Sequence, residues 1–562
     1  MATLTDLPNE MLSTIARNLQ DNVESLHGGY NVSTNSTLFF DSEDCRHPDS
    51  DLASLCLVSK RVYPAAAETL YRWPKIPSST KPVDGSSEVD RKTPLVCLVR
   101  TLLERPHFRE FIKGIKLLVL PRDAHDSPAI PAKPIFCGTP ACFCANTKFF
   151  AMLRQVLTRE EMRLWVTTRF RSHLATRHPR AVRYNFWQHW MRLLRQGNEP
   201  ALIGILMLIL PELQHLSLRS HAGKRSDSDD EIWGSAEETG IFWDLFDQQV
   251  ALGAGPFYRP TFLPAFLNLT SLTVNFVLPW SVICLPTLTT LEYEIKDETE
   301  DGLFNWAAPH LPISQKPAPV IKTLILNVDI CNLGVQDIIQ YIPLLLMELT
   351  SLHELHFRIF SVPETNYAGA NADSDLDLDG FLTRINPSCQ ELVIDESNVR
   401  SDCLFWIRPL AAASYLSFPS LRRLVLPQSM LFEMYDDNLG PLPAPLDTLE
   451  VIDSTRALHG WAWRLVNNHF VIPNLNRVVL WCDKNGDVFH PADENLRDVP
   501  EWYDWSTGVD PVMVEQQQGL AAAFDEDWKP FDWVGAEVWE VVRAMGAEVV
   551  ERRRVRGWRA LQ

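Results

Sequence analysis

A chain of 562 residues, 46% hydrophobic and 22% charged, is too long for one ordinary compact core yet too apolar for wholesale disorder, so internal repeats are expected. Its net charge of −19 and isoelectric point near 5.3 oppose general affinity for nucleic acid or anionic lipid, because an acidic surface repels phosphate. Eleven scattered cysteines suit reduced thiols of the cytosol or nucleus better than a disulfide framework.

Asp6 and Glu10 stand where a secretory leader needs a basic start and then an uninterrupted apolar run, so secretion is not expected. Instead Leu7-Pro8 opens a helix whose Met11, Leu12, Ile15 and Leu19 fall at 0, +1, +4 and +8, one stripe of a 3.6-residue period. Residues 21–50 are polar, with Gly28-Gly29 and many Ser, Thr and Asn, which is loop chemistry. The helical pattern resumes after Asp51, a good N-cap, with Leu52, Leu55, Val58 and Val62. After Tyr63-Pro64 a third short helix carries Ala66, Leu70 and Tyr71, and Trp73-Pro74 ends it.

The run LPxEM…I…L, then DLxxLCLVSKRxY, then LYR, resembles the F-box over residues 4–73; it departs from that family in the long loop 21–50, which is thermodynamically cheap. F-box proteins dock through these helices on the linker subunit of cullin-RING ubiquitin ligases and select a substrate with a second domain. Carried over residue by residue, the resemblance implies an interface of Leu7, Pro8, Met11, Leu12, Ile15, Leu55, Val58, Leu70 and Tyr71, with Lys60 and Arg61 at its rim. Leu7, Pro8 and Leu12 are the expected anchors. A Pro/Ser-rich linker over residues 76–94 suggests that the small helical unit buries its stripe on a partner, since so short a unit rarely builds a sufficient core alone.

From residue 95 a different cadence begins, an apolar residue at 0, +3 and +5, starting with Ile112, Ile115 and Leu117. Its middle positions recur at Leu216, Leu272, Leu291, Leu324, Leu355, Leu392, Leu424, Leu449 and Val478, making ten units, several introduced by Pro as in LPELQHLSL and FPSLRRLVL. From Leu324 to Leu424 the steps are 31, 37 and 32 residues, whereas Leu272 to Leu291 is 19 and Ile115 to Leu216 is 101. The expected fold is α/β: a three-helix F-box (1–75, with loop 21–50), a linker (76–94), an irregular leucine-rich-repeat solenoid of strand-helix units (95–490), and a Trp-rich C-terminal cap and tail (491–562). The apolar Ala201–Leu210, boxed by Pro200 and Pro211, is about half a membrane span and is expected as a buried helix. Nine of the eighteen tryptophans lie between Trp461 and Trp558, and the terminal ERRRVRGWRALQ is expected to end a helix.

Side chains alternating with the buried ones on each strand would line a concave binding face. They are Arg219, Asn275, Glu292, Glu294, Asn327, His356, Arg358, Asp395, Arg423, Glu450, Arg477 and Trp481, whose mixed charge suits a protein partner. The alternative is plain solvated strand residues. Acidic runs at 225–231 and 371–379 are expected as solvated loops.

Catalytic signatures are missing: the sequence contains no GxxxxGK[ST], GxGxxG, HExxH or GxSxG. Cys137, Cys142 and Cys144 give three local thiols where zinc wants four ligands. Asp375, Asp377, Asp379 and Gly380 imitate the start of an EF-hand loop, but Asn386 replaces the bidentate Glu. His173, His178 and His189 have no ligand spacing. The expectation is therefore a non-enzyme without cofactor or metal, binding neither nucleic acid nor membrane. It would be the substrate adaptor of an SCF-type ligase, partnered by the linker subunit, the cullin and a protein substrate. A scaffolding repeat protein without a role in ubiquitin transfer is the alternative. The SKR and LYR text looks like the F-box sets of filamentous fungi.

Overall fold

The computed structural model describes residues 7–16, 54–74, 76, 94–119, 199–220, 264–275, 278–295, 304–305, 319–329, 345–360, 376–377, 388–398, 407–408, 418–427, 430, 442–452, 474–483, 542–543 and 546–554. Loop 21–50, nearly all of the linker, the cysteine cluster 137–144, the histidines 173–189, the acidic run 225–231 and the Trp-rich stretch from 491 to 541 lie outside them.

Three helices open the chain: α1 (9–16), α2 (54–58) and α3 (Tyr63–Arg72). Alanine-rich text with Pro in the first turn favours α3, Ser59 Oγ accepts the Val62 N–H at 3.1 Å, and Arg72 suits the C-terminal dipole. Trp73 then leaves the helical region because Pro74 follows it. The next helix, α4 (Pro94–Glu104), buries Leu95, Leu98, Val99, Leu102 and Leu103 at helical spacing. The expected helix in the apolar run is α5 (Glu199–Ile209), in which Leu202, Ile203 and every residue from Ile205 to Leu210 are buried; a helix apolar all round belongs inside, and α4 packs against it.

The architecture is α/β with an open parallel sheet of eleven strands. In chain order the strands are β1 (Gly114–Val119), β2 (His215–Ser220), β3 (Ser271–Val274), β4 (Leu278–Pro279), β5 (Thr290–Ile295), β6 (Phe304–Asn305), β7 (Thr323–Asp329), β8 (Glu354–Phe360), β9 (Leu376–Asp377), β10 (Glu391–Asn398), β11 (Ile407–Arg408), β12 (Arg423–Pro427), β13 (Thr448–Ile452), β14 (Arg477–Asp483) and β15 (Glu548–Arg554). The short pairs β4 with β6 and β9 with β11 stand apart, and the rest follow one another in sequence order from β1 to β15. All ten cadence units are strands of this sheet. The eleventh, β15, falls where a terminal helix was expected: the β-branched Val549 and Val550 pair with Val478 and Val479 and outweigh the helix-favouring Arg residues once the edge of β14 is there to pair with.

The chain divides into two units, Met1–Glu292 with Asp301–Val320, and Tyr293–Glu300 with Ile321–Gln562. In the first, Ile112, Ile115 and Leu117 align with Leu213, Leu216 and Leu218 and with Leu269, Leu272 and Val274, all buried. The second has two buried rows of its own, Leu324, Leu355, Leu392, Leu424, Leu449 and Val478, and Leu326, Phe357, Ile394, Leu426, Val451 and Leu480. Side chains satisfy several turn carbonyls: Asn268 Nδ2 donates to Pro211 O at 2.9 Å, Thr270 Oγ1 to Gln214 O at 3.1 Å, Ser388 Oγ to Leu352 O at 3.1 Å and Asn474 Nδ2 to Ala444 O at 3.1 Å.

Candidate functional site

Two surfaces carry the residues singled out from the sequence. In the helical module, Leu12 is only 2% exposed, and Ala16, Val62, Ala66 and Ala67 are buried too. The stripe that predicted a partner anchor at Leu12 is therefore spent internally at that residue. The exposed apolar groups are Met11 (51%), Leu57 (87%) and Val58 (57%), with Pro8, Lys60 and Arg61 also exposed and Leu7, Ile15, Leu55 and Leu70 half-buried. Arg61 Nη2 donates to Leu7 O at 3.2 Å and ties the start of α1 to the α2–α3 turn.

Leu57 was missed. It lies off the Leu52, Leu55, Val58, Val62 stripe, and the signal was its place in four consecutive apolar residues, Leu55 to Val58, more than one face of a core helix needs. Tyr71, expected at the interface, instead stacks on Phe108 with ring centroids 4.4 Å apart, and burial together with nearby Tyr63 raises its phenol above the ordinary range. Arg105 Nη1 donates to the Tyr63 hydroxyl at 3.1 Å. At the end of α3, Arg72 O accepts the Lys113 N–H at 3.0 Å, and the Trp73 ring lies 5.0 Å from that of His215.

The second surface is one face of the sheet. Register puts Asn275, Glu292, Glu294, Asn327, His356, Arg358, Asp395, Arg423, Glu450, Arg477 and Trp481, together with the backbone position of Arg219, opposite to the apolar rows. Contrary both to solvated strand residues and to an open binding face at these positions, Asn275, Glu292, Glu294, His356, Glu450 and Trp481 are buried, as are Ile325, Val425, Ile452 and Val479, and only Asn327, Arg358, Asp395, Arg423 and Arg477 of the described members of the expected set stay half-buried. Apolar side chains on both faces are what a parallel sheet ordinarily carries.

Buried polar groups must find partners, and in the second unit they find one another across the strands. Glu450 Oε1 accepts from Arg423 Nε at 2.8 Å and lies 2.8 Å from Arg423 Nη2, while Glu450 Oε2 accepts from Trp481 Nε1 at 2.8 Å. Arg423 Nη1 also donates to Glu391 Oε1, and His356 Nε2 lies 3.5 Å from that oxygen. Burial alone would raise the Glu391 carboxyl; His356 and the Arg423 guanidinium outweigh it and hold the group below the ordinary carboxylate range. Thr323 Oγ1 donates to Glu354 Oε2 at 2.8 Å, and in the first unit Thr273 Oγ1 donates to Glu292 Oε2 at 3.1 Å. The His356 ring is 7% exposed, and the Glu391 carboxylate 3.5 Å from its Nε2 is its charged neighbour.

Burial pushes the Cys389 thiol up to about 12 and raises Cys56, the reverse of an activated nucleophile. Among the described residues no cluster of His, Cys, Asp and Glu is placed to hold a metal ion, and no helix is long and apolar enough to cross a membrane. No protein-family model, curated protein or solved structure matches the chain.

Proposed function

We propose that the chain is the substrate-recognition adaptor of an SCF-type cullin-RING ubiquitin ligase. In this reading α1–α3 form an F-box that docks on the linker subunit, and the strands belong to a leucine-rich-repeat array in which the half-buried Asn327, Arg358, Asp395, Arg423 and Arg477 face a protein substrate while buried Glu450 holds Arg423 in place. The chain supplies binding and placement, while partner enzymes transfer ubiquitin. The observation that carries the reading is the coincidence of motif and exposure: Pro8, Met11, Leu57 and Val58 leave apolar surface in water within the LPxEM and LCLVSKR text. Exposed apolar groups clustered on so short a module mark a docking surface.

The experiment is co-purification of the tagged chain from a eukaryotic cell beside a Met11→Asp/Val58→Asp variant. Both side chains are exposed, so the charge penalty falls on the interface and not on folding. Recovery of the linker subunit and cullin with the parent chain, and loss of both with the variant, supports the adaptor; equal recovery, or none with either, refutes it. A second reading is a scaffolding repeat protein in which the helices only cap the array. It draws support from the bond between Arg72 O and Lys113 N, and it predicts no linker-subunit capture at all.

A further inference from the structure

We infer that Trp73 is a positioning residue that locks the N-terminal helices onto the first strand, and that Gly114 is the gap that admits it. For its biological consequence the inference rests on the adaptor reading; for its geometry it does not.

The backbone between strands β1 and β3 follows a repeated device. The residue just before a strand offers its carbonyl to two successive N–H groups of the next unit: Lys113 O accepts from Gln214 N at 2.7 Å and His215 N at 3.0 Å, and Gln214 O accepts from Thr270 N at 2.8 Å and Ser271 N at 3.0 Å. The device does not start at β1. Its first rung is Arg72 O, which accepts from Lys113 N, so the C-terminus of α3 takes the place of a preceding unit. A helix C-terminus has carbonyls without helical partners, and this one is satisfied by the sheet.

The side chains enforce the same join. The Trp73 ring covers the first position of β1, where a Cβ on Gly114 would lie inside that ring. The in-register equivalents of Gly114 in this unit, His215 and Ser271, both carry side chains. The one glycine at this position is thus where an indole replaces a side chain. The His215 ring, on the strand position beside Gly114, lies 5.0 Å from the indole at a tilt of 40°, and Tyr71, two residues before Trp73, stacks on Phe108.

A flexible tether would need none of these groups. With them, Met11, Leu57 and Val58 keep a fixed place relative to β1–β3. Trp73 then matters to the adaptor without touching either partner, because a receptor must present its substrate at a defined place as well as bind it.

The test is hydrogen exchange, resolved to single amides, on the full chain and on Trp73→Ala, Trp73→Phe and Gly114→Ala, with capture of the linker subunit measured on the same proteins. Trp73→Ala and Gly114→Ala are expected to speed exchange of the Lys113 amide at least ten-fold. Trp73→Phe keeps an aromatic ring over Gly114 and is expected to stay close to the parent. The Asp447 and Arg477 amides, in the other unit, should keep their protection, and the variants should still capture the linker subunit. An unchanged Lys113 amide in Trp73→Ala overturns the inference. Should Trp73→Ala lose protection at Asp447 and Arg477 as well, Gly114→Ala decides: a faster Lys113 amide supports the join, and an unchanged one overturns it. Failure of the parent chain to capture the linker subunit would remove the adaptor reading and leave the exchange result standing.

Discussion

Replacing Arg423 with Met should cost more than replacing Arg423 and Glu450 together. The Glu450 side chain is 8% exposed, and two of its three hydrogen-bonding contacts come from Arg423, so Arg423→Met leaves a buried carboxylate with the Trp481 N–H alone. Breaking a buried ion pair from one side costs about 3–5 kcal/mol. Because the Arg423 side chain is 33% exposed and water can reach the half-exposed Glu391, the low end, about 3 kcal/mol, is expected. In Arg423→Met/Glu450→Met the buried Glu450 charge is gone; beyond the loss at Glu391, which both variants share, the remaining penalty is the orphaned Trp481 N–H, about 1–2 kcal/mol. Native-state hydrogen exchange at the Asp447 and Thr448 amides, which both donate to Arg422 O, reads the local stability. The single variant should exchange about a hundred-fold faster than the parent and the double variant no more than about ten- to thirty-fold faster. A double variant as labile as the single, or more so, would refute the view that stranded charge dominates this row.

The same network sets an acid limit. The Glu391 carboxyl is held below its ordinary range in the folded chain, so the stability it lends is present above the unfolded carboxylate pKa and is lost as pH falls through the folded value; in Arg423→Met that loss should begin at a higher pH, read as protection of the Glu391 amide against pH. Burial lowers the pKa of His215, so its neutral form is favoured by folding and its contribution fades as pH falls below about 6.5. The protection factor of the His215 amide should therefore drop between pH 7 and 5 in the parent but stay level in His215→Phe. Leu12→Ala should destabilise the helical module by about 2–4 kcal/mol, seen as faster exchange of the Ala16 and Ala66 amides. Met11→Asp should leave those amides unchanged, and equal effects would sink the division between an inner and an outer face.

Much of this molecule was legible in the linear text. Ten strands could be placed from an apolar residue at 0, +3 and +5, because burying one side of a strand demands alternation, and the turn before it demands one more inward residue. The buried α5 was equally plain, since a helix apolar on every side has only one environment open to it. Even the polar face could be named residue by residue, as strict alternation leaves no choice of side.

What the text could not convey was which of those polar residues spend themselves on each other. Arg423, Glu450 and Trp481 are separated by 27 and 31 residues of chain, and only parallel register sets them on adjacent strands at hydrogen-bond distance. The division between Leu12 and Met11, neighbours on one helix, likewise depended on which side of that helix is covered in the fold. A Trp-Pro that reads as a helix stop became a wedge because Gly114, far along the chain, has no Cβ in its way. Local periodicity by itself decided which residues turn inward, since burial acts residue by residue along an element. The pairing of charges and the seating of Trp73 were decided only by the tertiary structure, because both depend on distances between segments whose spacing in the chain carries no information about them.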